Sequence, residues 1–237
     1  MAKQAEYFSV SDSTRWVVVF AGMLVNTFIG VLYSWSVIAR FLQDDYGFTS
    51  TQSQLPYMIA CGVFALMMIP GGRAQDKLGP RIVITAGGIC IALGFVLSSF
   101  FLTVAGLAVC FGIIFGTAMG LIYTSATPAA VKWFGPEKRG LIAGLVVAGF
   151  GGSSIYTAPL AEYLIQGYGV SNTLLILGIV FGALAVLIAT LIRNPPPGYV
   201  PPAPSQTQKP KHTVQPQEAR KIRADYEWHE MVKTPQF

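Results

Sequence analysis

Charge is scarce in this sequence, and histidine is missing from all but its end. Only 11% of the 237 residues are Asp, Glu, Lys or Arg, against roughly a quarter in an ordinary soluble domain. A water-soluble globule is therefore excluded. The three cysteines, Cys61, Cys90 and Cys110, have neither CxxC spacing nor a histidine pair nearby. That excludes a disulfide framework and a zinc site, and leaves them as small apolar residues inside hydrophobic segments. The two histidines, His212 and His229, lie in the C-terminal tail. An intramembrane serine protease would need one in the bilayer, so no enzyme is expected here, and no metal or cofactor either. The net charge of +5 would suit nucleic acid by sign, but the basic residues are distributed for another reason, and no nucleic-acid partner is expected.

What the chain does have is long charge-free runs, at residues 16–39, 46–72, 82–131, 140–161 and 163–192. A membrane-spanning helix needs about 20 apolar residues. Four runs hold one helix each and the 50-residue run holds two, so the spacing predicts an all-α, six-helix transmembrane bundle over 16–192. Its helices fall near 16–40, 52–71, 82–101, 105–131, 140–161 and 170–192. The first run is too long for a signal-peptide core and follows Glu6 and Asp12, so it is retained in the membrane. If the tail 1–15 is cytoplasmic, fifteen of the sixteen basic residues fall on the cytoplasmic side and only Arg40 outside. The positive-inside rule then places both ends of the chain in the cytoplasm of a plasma (inner) membrane. Six prolines between Asn194 and Pro204 make 193–216 an extended linker. In 217–237, Ala219, Ile222, Tyr226, His229 and Val232 recur at three and four residues. That spacing fits either a helix lying on the membrane surface or a solvated linker helix.

Between the second and third expected helices stands Gly71-Gly72-Arg73-Ala74-Gln75-Asp76-Lys77-Leu78-Gly79-Pro80-Arg81. Glycines allow a tight turn there, and Asp76 can face a helix N-terminus while Lys77 and Arg81 stay in water. Gly72, Asp76, Lys77, Gly79 and Arg81 match the signature loop of the major facilitator superfamily, G-x-L-A-D-R-x-G-R-R. Ala74, Gln75 and Pro80 depart from it. A second loop, Lys132-Trp133-Phe134-Gly135-Pro136-Glu137-Lys138-Arg139-Gly140, with Gly144 after it, and Gly30 to Ser36 in the first helix, resemble the oxalate:formate antiporters of that superfamily. Monocarboxylate transporters share the W-F-x-x-x-x-R-G arrangement. The resemblance implies that the signature loop, with Lys132 and Arg139 in the second loop, works at the cytoplasmic gate. A full carrier has twelve helices, so the chain resembles an N-terminal half whose partner, a C-terminal six-helix half, is missing.

Asn26, Gly30, Tyr33 and Val37 share a stripe of the first helix, Gly116, Gly120, Tyr123 and Thr127 one of the fourth, and Gly149, Gly152 and Tyr156 lie on the fifth. An aromatic cage with hydroxyl donors suits a small flat carboxylate. By the resemblance, Tyr33, Tyr123 and Tyr156 line the substrate site with Trp35 beside them, and Asn26, on the Tyr33 stripe, is a further candidate. No charged residue falls in the middle of any expected span, whereas an anion carrier normally places one there. In the resembled family the cations belong to helices eight and eleven. The Gly167-Tyr168-Gly169 triplet has the letters of a potassium filter but sits between two helices, and a water channel would need two Asn-Pro-Ala turns. The expected function is secondary transport of a small organic anion by alternating access. The alternatives are an inactive half-carrier, or a carrier of the same superfamily for a solute that is not a carboxylate. Membrane lipid surrounds it in each case.

Overall fold

The computed structural model describes residues 12–196, 199 and 201, and all regular structure among them is helical. Helix is what apolar runs of this length must form in lipid, where every backbone N–H and C=O needs an internal partner. The first four helices are α1 (Ser13–Tyr46), α2 (Ser50–Leu78), α3 (Pro80–Phe100) and α4 (Val104–Val131). The last helical stretch, Arg139–Ala189, has 51 residues. As one rod it would measure about 76 Å, more than twice the ~30 Å hydrocarbon core.

It is not one rod. Gly169 has φ 79 and ψ 168, a conformation that only glycine adopts freely. Before it, Val146 lies beside Gly22, Ser153 beside Gly30, and Glu162 pairs with Arg40 at 2.8 Å, so the chain runs parallel to α1. After it, Ser171 Oγ donates to the Ser99 carbonyl at 2.7 Å, Gly182 abuts Ala92 and Gly88 abuts Val186, so the chain runs antiparallel to α3. The direction reverses at Gly169, which makes 139–168 (α5) and 170–189 (α6) separate spans. Six spans are thus present among the described residues. The Arg40–Glu162 pair is about half exposed on both sides and adds little to stability.

Three seams hold the bundle together. The α1–α5 seam brings Gly30 against Ser153 and Gly149 against the Met23 carbonyl, and Asn26 Nδ2 donates across it to the Val146 carbonyl at 3.1 Å. Buried Ser34 and Thr157 join their hydroxyls in the same seam. The parallel α2–α4 seam sets Gly112 on Ile59, Gly116 on Ala60 and Gly120 on Met67. The third is α3 on α6. Small residues at each crossing let backbones approach where no hydrophobic force distinguishes lipid from protein. Two helices depart from regular geometry: α1 tightens into a 3-10 turn at Gly30–Ser34, and α4 widens into a π stretch at Ala108–Phe115.

The expected loop between the second and third helices is almost entirely helix. Gly71 to Leu78 complete α2, Gly79 alone turns the chain with φ 82, and Pro80 opens α3. Arg73, Asp76, Lys77 and Arg81 are exposed there, so a helix whose own bonds are complete continues past the membrane boundary. Gly79 has open space around its Cα, so its positive φ is the only obstacle to a side chain. Gly79→Ala should cost about 1–2 kcal/mol, read as a lower unfolding temperature with unchanged helix content. The expected linker, apart from Arg193 to Pro196, Tyr199 and Pro201, and the expected surface helix 217–237 lie outside the described residues.

Candidate functional site

Four helices send aromatic rings to one place. Tyr33 of α1 packs on Phe150 of α5 with ring centroids 5.0 Å apart, and Tyr123 of α4 meets Phe150 edge-on at 5.5 Å. Phe64 of α2 closes the set, at 5.5 Å from Tyr123 and 6.2 Å from Phe150. Tyr57 and Cys61, one turn apart on α2, lie beside Tyr33. Tyr33 is 46% exposed, so this cluster opens off the bundle. Edge-to-face and offset contacts of this kind fix ring orientation. The result is a firm apolar floor with phenol hydroxyls at its edge.

The residues expected at the site divide. Tyr33 and Tyr123 come together as the stripes required, bridged by Phe150. Tyr156, 40% exposed, lies on α5 near Thr27, outside the ring contacts of this cluster. Trp35 faces the other way: it is 1% exposed, stacks on Phe111 at 4.0 Å, and its Nε1 donates to the Ser53 carbonyl at 2.9 Å. It ties α1 to α2 and α4 and has no surface for a solute. Asn26 is fully buried, its amide nitrogen donates to the Val146 carbonyl, and its Oδ1 has no hydrogen-bond partner among the described residues. Trp35 follows Tyr33 by two residues, about 200° around a helix, so it points away from the Tyr33 stripe. The turn at Gly30–Ser34, with three residues per turn in place of 3.6, shifts the phase of Tyr33 against Asn26 by about 60–80°. On α4, Gly116 and Gly120 belong to the α2 seam, and only Tyr123 of that stripe reaches the cluster. Phe64 and Phe150 were missed, because a phenylalanine in a membrane helix reads the same whether it faces lipid, core or cavity.

The basic end of the bundle is closed by the Trp133-Phe134 pair. Trp133, 1% exposed, donates from Nε1 to the Arg193 carbonyl at 2.9 Å, and Tyr199 returns a hydroxyl hydrogen bond to the Trp133 carbonyl at 3.2 Å. Phe134 meets Trp16 edge-on at 5.6 Å. One indole thus holds the exit of α6 and the adjacent ring holds the entry of α1. Lys132 and Arg139 flank the pair, exposed on the same side as Asp76, Lys77 and Arg81.

Every described charge sits at a helix end. Arg40, Asp44, Asp45 and Glu162 lie at one end, and Asp12, Arg15, Arg73, Asp76, Lys77, Arg81, Lys132, Glu137, Lys138, Arg139 and Arg193 at the other. The aromatic cluster between them is uncharged. It can stack on and hydrogen-bond to a flat solute, but it cannot neutralise an anion.

A sequence model of the Major Facilitator Superfamily matches residues 16–237. The oxalate:formate antiporter of Oxalobacter formigenes is 30% identical over 224 residues, covering 94% of this chain and 50% of that protein. An uncharacterized MFS-type transporter of Escherichia coli, YhjX, is 25% identical over the same length, covering 94% and 52%. Monocarboxylate transporter 13 of Rattus norvegicus is 30% identical over 164 residues, covering 68% and 38%. The chain spans about half the length of the first two relatives. Six spans packed along glycine seams, with charge confined to their ends and a family match across the whole bundle, lead to one conclusion: this chain is an integral membrane protein of the Major Facilitator Superfamily.

Proposed function

We propose that this bundle is the aromatic half of a secondary carrier for small carboxylates, working by alternating access against a second six-helix bundle. The observation that carries the reading is the uncharged Tyr33–Phe150–Tyr123–Phe64 cluster, built from four helices and open on one side. Stacking and phenol hydrogen bonds would orient a planar carboxylate near mid-membrane, while cations from the other bundle neutralise it. The relatives that carry oxalate, formate or monocarboxylates in their names support this class of solute. Tyr156 forms the rim of the same face. Asp76, Lys77 and Arg81, with Lys132 and Arg139 across from them, act at the cytoplasmic gate. Both ends of the chain lie in the cytoplasm, followed by a linker over 193–216 and a helix over 217–237 that leads to the second bundle. The protein acts as a carrier and not as an enzyme.

Reconstitution of the complete carrier in vesicles loaded with labelled oxalate, formate, lactate or pyruvate tests the reading. Exchange or uptake of one of them is the expected result; movement of sugars or drugs alone would overturn the substrate class and leave the fold untouched. Within that assay Tyr123→Ala removes a ring contact and a hydroxyl, and should weaken apparent affinity about tenfold. Tyr123→Phe should recover the stacking part of that loss. Unchanged affinity in Tyr123→Ala would take the residue out of the site.

A further inference from the structure

On the α3–α6 seam the bundle carries a second feature that solute transport does not use. Gly88, Ile89, Ala92 and Leu93 of α3 and Ile179, Gly182, Ala183, Val186 and Leu187 of α6 line an open groove of about 550 Å³. The wall is wholly apolar, and glycine and alanine make its depth. One turn further along the same stripe of α6, Thr190, Leu191 and Arg193 join Ser13, Thr14 and Val17 around a recess of about 280 Å³. The stripe therefore passes from an apolar trough to a pocket offering hydroxyls and a guanidinium. The antiparallel register that sets Gly182 on Ala92 and Gly88 on Val186 brings Arg81, at the start of α3, level with Arg193. Both arginine side chains are exposed, and the residues lining the groove and the recess include no carboxylate, with Asp12 next in sequence to Ser13.

We propose that this seam is a binding site for one anionic phospholipid of the adjacent leaflet. An acyl chain lies in the Gly88–Ala183 groove, and the phosphate sits between Arg81 and Arg193 with Ser13 and Thr14 beside it. The groove faces the bilayer, where hydrocarbon chains are the solvent, so its filling by an acyl chain follows from position. The selectivity comes from the charge at its mouth, since a guanidinium pairs with phosphate through two parallel hydrogen bonds. Basic pockets between membrane helices hold anionic headgroups in the same manner.

Native mass spectrometry of the full-length protein in detergent, titrated with phosphatidylglycerol or phosphatidylcholine, tests this. One phosphatidylglycerol should bind markedly tighter than phosphatidylcholine. R81Q and R193Q should each weaken the anionic lipid about fivefold, and together roughly thirtyfold, while R81K/R193K retains most of it. Ala183→Phe, on an exposed surface, should fill the groove and weaken binding with all charges intact, which keeps the test open if the arginine variants do not fold. Equal binding of the two lipids, or a double variant that binds phosphatidylglycerol as before, would overturn the proposal. So would efficient disulfide cross-linking of two chains through Ala183→Cys, because the groove would then be covered by a second copy.

Discussion

Trp133→Ala will lower stability by about 3–5 kcal/mol, the usual cost of emptying a site filled by a large aromatic side chain. The indole is 1% exposed, makes an edge contact with Tyr199 at 5.2 Å and donates to the Arg193 carbonyl. Its removal leaves both a void and an unpaired carbonyl at the exit of α6. For a bundle of this size the cost is a fall of roughly 6–20 °C in unfolding temperature, measurable by circular dichroism of the solubilised protein. Trp133→Phe keeps most of the ring and loses the N–H, so it should fall between the two, about 1–2 kcal/mol below wild type. Cleavage by trypsin at Arg193 should quicken in Trp133→Ala before the rest of the bundle yields, since that residue anchors the end of α6. A melting temperature within two degrees of wild type would mean that Trp133 is not the clamp described above.

Gly149→Val should be as damaging for the opposite reason. A Cβ at residue 149 would collide with the Met23 carbonyl oxygen, a backbone atom with no rotamer to change, so α1 and α5 must separate. Overpacking alone costs about 1–3 kcal/mol. Separation also strains the bond from Asn26 to Val146, whose loss would leave a fully buried amide unpaired at about 1–3 kcal/mol more. The combined effect, about 2–6 kcal/mol, should appear as loss of correctly folded protein from the membrane. Gly144 and Gly151 sit on the same helix with nothing near their Cα positions. Alanine there should be neutral or stabilise by up to about 1 kcal/mol, through better helix propensity. A Gly149 variant that behaves like those two would remove the close crossing from the account.

The spans were legible because charge is excluded from hydrocarbon: the charge-free runs and their lengths locate all six helices, including the two joined through Gly169 in one 51-residue helical stretch. The helix ends were not legible by the same rule. Once past the membrane a helix may carry charge, and α2 reaches Leu78 and α1 Tyr46 through residues that look like loop. The aromatic cluster was half legible. Tyr33 and Tyr123 stood out as polar aromatics in apolar surroundings, and they meet. Trp35 entered through the resemblance, although a residue two positions from Tyr33 lies on the other side of a helix. Asn26 entered on the Tyr33 stripe, counted through Gly30–Ser34, where the backbone does not keep 3.6 residues per turn. Gly116 to Thr127 lie in a regular stretch beyond the π segment, so counting along them kept their phase. Direction around the helix was recovered, but not which neighbour each stripe would meet.

The pairing of α1 with α5 also sets a timetable. Asn26 and the Val146 carbonyl that receives its hydrogen bond are 120 residues apart in the chain, and a ribosome takes roughly 6–24 seconds to cover that distance at 5–20 residues per second. Throughout that interval the amide nitrogen of Asn26 lacks the carbonyl that accepts from it in the finished bundle. The nascent protein must therefore shelter α1, against the insertion machinery or against α2, and exchange that shelter for α5 near the end of synthesis. Slowed translation between residues 26 and 146 prolongs the exposure, and membrane quality control has its opportunity there.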